Sequence, residues 1–145
     1  MYRTHNNGEL RLKDVDKEVT LVGWVSKKRN LGSLVFIDLR DRYGITQILL
    51  EGEKFPITKD IKSEYIIQIK GKVIKKEVSN PKLPTGDIEV IADEVKIVNT
   101  SEQPPFIIAD ETDALEDTRL KYRYLDLRRP IMQNYLKTRA KIVKA

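Results

Sequence analysis

The chain has 145 residues, 40% of them hydrophobic and 34% charged, with a formal net charge of +5, no cysteine and one histidine. That is enough for one domain with a real core and a piece of another. It excludes a disulfide framework, a thiol nucleophile, a Cys-ligated zinc site and a histidine cluster, and no apolar run approaches membrane-spanning length. Met1-Tyr2-Arg3-Thr4-His5 does not read as a signal peptide, and the lack of cysteine is compatible with a cytoplasmic protein.

The charge is unevenly spread. Residues 1–50 carry nine Lys/Arg against six Asp/Glu, and residues 51–99 carry nine of each. Residues 100–118 carry six acids and no base, whereas residues 119–145 carry nine bases and one acid. A basic surface favours phosphate through counterion release whatever the sequence bound. The same pattern also suits the solvated face of a helix.

In chain order, Asn6-Asn7-Gly8 is a turn signal and residues 10–17 read as a lead-in with at most a short helical turn. Residues 17–29 form the first expected strand, with Val19, Leu21 and Val25 on one face, Val22 and Trp24 on the other, and Gly23 marking a bulge or a tight bend. Residues 31–50 read as a hairpin. Its inward face would be Val35, Ile37, Leu39, Ile48 and Leu50, and its turn is Arg40-Asp41-Arg42-Tyr43-Gly44. Pairing Leu39 with Gly44 would set Phe36 opposite Gln47 on the outer face, with Arg29 just before the hairpin. An exposed ring beside an amide and a guanidinium is a base-stacking and base-reading arrangement.

Residues 52–63 are a connector in which Pro56 confines any helix to its C-terminal half. Residues 64–76 are a fourth strand interrupted by Gly71, residues 79–86 a loop, and residues 87–98 a fifth strand. The fold class expected is mainly β: a five-stranded Greek-key barrel of the OB type, followed by a linker and C-terminal helices. The division is 1–100 for the barrel, 101–118 for an acidic linker or hinge after Pro104-Pro105, and 119–145 for helices. Leu120, Tyr124 and Leu127 fall at helical spacing. Pro130 suits the first turn of a second helix, with Ile131, Tyr135 and Ile142 near one face. That helix stops without a cap signal, as though the chain continued into something larger.

Three stretches carry a family resemblance: Gly23-Trp24-Val25, the run from Arg29 to Arg42, and Thr85-Gly86-Asp87-Ile88-Glu89-Val90. The most specific is Arg119-Leu120-Lys121-Tyr122-Arg123-Tyr124-Leu125-Asp126-Leu127-Arg128-Arg129-Pro130. Together they resemble the N-terminal part of bacterial-type aspartyl-tRNA synthetases, which are class II enzymes. Asn30 stands where that family often has Asp, and Asp87 where Glu is common. The resemblance implies that the barrel binds the anticodon stem-loop of a tRNA and that 119–145 begins a catalytic domain. It implies that Phe36 stacks on an anticodon base, that Gln47 bonds the middle base, and that Arg29 and Glu89 make further contacts. Lys27 and Lys28 join Arg29 as the nearest basic cluster. The resemblance also implies a homodimeric parent using ATP and magnesium to attach aspartate to tRNA, with no catalytic residue, metal or cofactor in this part. Two other readings stand beside it: a nonspecific single-strand-binding module, and an interaction domain whose basic helices dock on a protein.

Overall fold

In the computed structural model, which describes residues 2–144, the first strand organises the rest. β1 (Glu18–Leu31) pairs antiparallel with two neighbours in succession. Residues 18–24 run against β4 (Ile66–Lys75), and residues 24–31 against β2 (Leu34–Arg40). β3 (Ile45–Glu51) continues the hairpin, and β5 (Ile88–Asn99) closes the ring in the order β1-β2-β3-β5-β4. The closing seam between β3 and β5 is parallel and short, Ile48 with Val90 and Leu49 with Ile91. A closed ring leaves no long unpaired edge.

Alternation decides what fills it. Val19, Leu21 and Val25 of β1 point inward, as do Val35, Ile37 and Leu39 of β2 and Ile48 and Leu50 of β3. β4 and β5 add three residues each, and Leu10 and Ile61 plug the interior from the connections. Burying such a side chain contributes roughly 1.5–3 kcal/mol, so this shared interior is the main stabilising term. Glycine lets two strands cross closely. A Cβ on Gly23 would lie 2.4 Å from the Arg40 carbonyl oxygen, and one on Gly71 would lie 2.0 Å from that of Ile91. The bulge of β1 falls between Val25 and Lys27, two residues beyond the glycine expected to mark it. Gly71 does not interrupt β4 either. The irregularity opposite it is in β5, where Asp93 is skipped between the partners of Lys70 and Gly71.

The hairpin register differs from the expected one by two residues. Arg40 pairs with Ile45, Asp38 with Gln47 and Phe36 with Leu49. The cause is the turn. Asp41 Oδ1 accepts hydrogen bonds from the backbone N–H groups of Tyr43 (2.7 Å) and Gly44 (3.1 Å), so Asp41 opens a four-residue loop rather than sitting inside it. A shift of two preserves the faces. The expected inward set is therefore all buried, joined by Thr46, whose hydroxyl donates to the Asn7 carbonyl at 2.9 Å.

The connectors stay short. A 3-10 turn occupies Leu12–Asp14 and another Pro56–Lys59, with Pro56 opening the latter. Before β4, Glu64 takes a left-handed φ of 64° and is held there by Arg40, whose Nη2 lies 2.8 Å from both carboxylate oxygens.

The chain divides into two compact units, Met1–Gln103 and Pro104–Ala145. In the second, α1 (Glu116–Lys121), α2 (Arg123–Asp126) and α3 (Pro130–Lys144) follow one another. Phe106 and Ile108, from the stretch expected as an acidic linker, pack with Leu125 into a small core. The spacing Leu120, Tyr124, Leu127 does not mark its buried face, since Leu120 and Tyr124 are exposed. Tyr122 leaves helical geometry at φ −106°, ψ 46°, which resets the period between α1 and α2. Arg129 then ties the unit together. It bonds Asp126 at 2.7 Å and donates to the carbonyls of Ala109 and Asp110 at 3.0 and 3.2 Å. Pro130 opens α3 as expected, while Tyr135 and Ile142 of that helix are exposed.

Candidate nucleic-acid interface

The outer faces of β1, β2, β3 and β5 present two rows of side chains across the strands. The first runs through paired residues: Arg29 with Phe36, Phe36 with Leu49, Leu49 with Ile91. The second runs Lys27 with Asp38, Asp38 with Gln47, and Gln47 to Glu89 through a side-chain hydrogen bond of 2.9 Å. One row is aromatic and aliphatic with a guanidinium at its end. The other is polar throughout.

The β1 bulge decides which basic residues join. It inverts the alternation after Val25, so Lys27 and Arg29 share the face of Asp38 and Phe36. Lys28 turns the other way. Its Nζ donates to the carbonyls of Thr58 at 2.6 Å and Ile61 at 3.0 Å, fastening the connector over the end of the barrel. The expected cluster of three is thus two, and Lys28 is a structural tie.

The other expected residues come together. Phe36 is half-buried between its cross-strand partners. Gln47 is its diagonal neighbour, about 7–8 Å away in such a ladder and within the span of one nucleobase. Arg29 Nη2 donates to Asp38 Oδ1 at 3.0 Å, with the guanidinium side chain 48% exposed and the carboxylate 22%. A carboxylate only accepts, so the Gln47 amide nitrogen must face Glu89. Among the described residues no hydrogen bond engages Gln47 Oε1, which remains an outward acceptor.

Leu49 and Ile91 complete the face without having stood out in the sequence, together with Asp38, which alternation along β2 sets on the same side as Phe36. Period-two counting from Phe36, Gln47 and Glu89 reaches all three, since each lies two positions away on the same face. Beyond Ile91 the paired residue is Lys72, whose ammonium bonds Asp16 at 2.8 Å. That bond raises the Lys72 pKa above its ordinary value. Among the described residues no group of three or more His, Cys, Asp and Glu side chains could hold a metal, and no helix is long and apolar enough to cross a membrane.

A closed five-stranded barrel with an aromatic and hydrogen-bonding face on β2 and β3 defines the oligonucleotide-binding class of OB-folds. Residues 19–98 match the model of the OB-fold nucleic acid binding domain, and the chain belongs to that family. It is 54% identical to the aspartate–tRNA ligase of Mycoplasma mycoides over 98% of its own length and 25% of that protein's. It is 52% identical to the aspartate–tRNA(Asp/Asn) ligase of Thermoanaerobacter pseudethanolicus, with the same shares covered. The chain therefore spans about a quarter of the curated relatives it matches. The asparaginyl-tRNA synthetase structure from Pyrococcus horikoshii superposes with a TM-score of 0.80 at 24% identity, over 99% of this chain and 34% of that one, a likeness of fold.

Proposed function

We propose that this chain is the anticodon-binding part of an aspartate–tRNA ligase and reads the aspartate anticodon GUC through the outer face of β1, β2, β3 and β5. The carrying observation is the pairing of Gln47 with Glu89, which leaves Gln47 Oε1 as an acceptor diagonal to Phe36. A base stacked on Phe36 must then offer a donor toward Gln47. Uracil offers N3–H at the middle of its pairing edge, where cytosine has an acceptor and keeps its donor, the N4 amino group, at the end of the edge. Glu89 accepts from the amino or imino groups of a neighbouring base, and Lys27 faces the backbone phosphates. The whole enzyme's activation of aspartate with ATP and magnesium belongs to the same proposal. So do the transfer of aspartate to tRNA, the homodimer, the cytoplasmic location, and the role of residues 119–145 as the start of a catalytic domain. The residues of this face serve the RNA-binding step alone.

The test is a titration of the chain with RNA stem-loops carrying GUC or GCC in the loop, at matched salt. The U-to-C change is expected to cost about 1–3 kcal/mol. Equal affinity for the two would replace this reading with that of a nonspecific electrostatic platform.

A further inference from the structure

We propose that Asp38 is a positioning residue that makes Arg29 a reader of base edges instead of a phosphate clamp. The inference deepens the RNA-binding reading and rests on it. An exposed arginine on a nucleic-acid face takes a phosphate by default, because phosphate contacts outnumber base contacts and need only charge. Here that default is blocked. Asp38 Oδ1 accepts from Arg29 Nη2 at 3.0 Å, and the two side chains remain 22% and 48% exposed. The pair has no net charge, and a phosphate approaching Arg29 would also meet the Asp38 carboxylate. The same bond holds the guanidinium beside Phe36, its cross-strand partner. Its remaining N–H donors therefore stand at the rim of whatever base stacks on that ring, where a carbonyl or ring-nitrogen acceptor lies.

Other charged side chains of this face are Lys27, paired in register with Asp38, Glu89, bonded to Gln47, and Arg40, two residues beyond Asp38 and bonded to Glu64. Lys27 is the exposed cation of the face that no side-chain bond engages among the described residues, so it is the group left for phosphate. An exposed ion pair contributes little to stability. Losing Asp38 should therefore leave the barrel folded and change how Arg29 behaves.

The experiment measures affinity for the GUC stem-loop across a salt series, and for variants of each loop base at one salt. It compares the unaltered chain with Asp38→Asn and Arg29→Gln. Asp38→Asn frees the guanidinium for phosphate, so the slope of log K against log salt should steepen by about one unit while base preference falls about tenfold. Arg29→Gln should lower base preference and leave the slope unchanged, because the paired arginine releases no counterion. This second variant decides the matter even if Asp38→Asn folds poorly. A slope about one unit shallower in Arg29→Gln would make Arg29 a phosphate clamp and overturn the inference. So would an Asp38→Asn protein that keeps both slope and preference. Absence of base preference in the unaltered chain would instead remove the anticodon reading, and the slopes would still decide the role of Asp38.

Discussion

In the proposed interface, Phe36 supplies the surface on which a base would stack. Truncating it to alanine removes the stacking surface without touching the interior, which β2 fills with Val35, Ile37 and Leu39. Phe36→Ala should weaken binding of the stem-loop by about 1–3 kcal/mol while the barrel stays folded with only a small drop in its unfolding midpoint, read by titration and thermal melting. Asp14, away from the face, makes stability depend on pH. Asp14 accepts from Lys17 Nζ at 2.7 Å and from the Arg11 backbone N–H at 2.9 Å, and the bond to Lys17 is the main cause holding its pKa below the ordinary value. A depressed carboxylate pKa contributes stability above the unfolded value, near 3.9, and loses it as pH falls through the folded value. Asp14→Asn should therefore be less stable than the parent chain at neutral pH, and the gap should close in acid below about pH 4. Urea melts at several pH values measure it.

At the scale of elements, the hairpin turn sets what the strands present. Asp41 holds Tyr43 and Gly44 through Oδ1, and its Oδ2 accepts from the Asn7 backbone N–H at 2.9 Å. One side chain thus closes the loop and docks the N-terminal segment on it. Asp41→Ala leaves several N–H groups short of a partner and should cost roughly 1–3 kcal/mol in chemical denaturation. Amide exchange should quicken at residues 41–46 before it does in β4. The turn also explains why alternation succeeded where register failed. Choosing which residue opens the loop moves the pairing by two, and a shift of two leaves every side chain on its face. A bulge shifts by one, which is why Lys28 left the expected cluster and Lys27 stayed. Nothing local in Ser26-Lys27-Lys28 announces that bulge. It arises where β1 turns from β4 to β2, a demand of closure.

For the whole molecule, the division at Gln103 puts the proposed face and the basic helices in different units. Every residue of the proposed face lies in Met1–Gln103, while residues 119–145 carry nine Lys/Arg. A protein comprising residues 1–103 should fold as the barrel by circular dichroism. It should keep the same ratio of affinities for the GUC and GCC stem-loops, with the absolute affinity lower at low salt. A lost ratio with an intact barrel would move specificity into the second unit.

The sequence by itself determined the number and chain order of the strands, the inward set of the hairpin, the helix start at Pro130, and the placing of Phe36 and Gln47 on one outer face. All of these follow from short periods and local turn chemistry, which act between residues close in the chain. The tertiary structure alone decided the partners. The Gln47–Glu89 bond joins residues 42 apart, the Arg40–Glu64 clamp joins residues 24 apart, and Arg29 meets Asp38 only after the bulge has inverted β1. Long-range contacts of this kind form when the ring closes. Closure answers to the summed packing of five strands, which no window of the sequence contains.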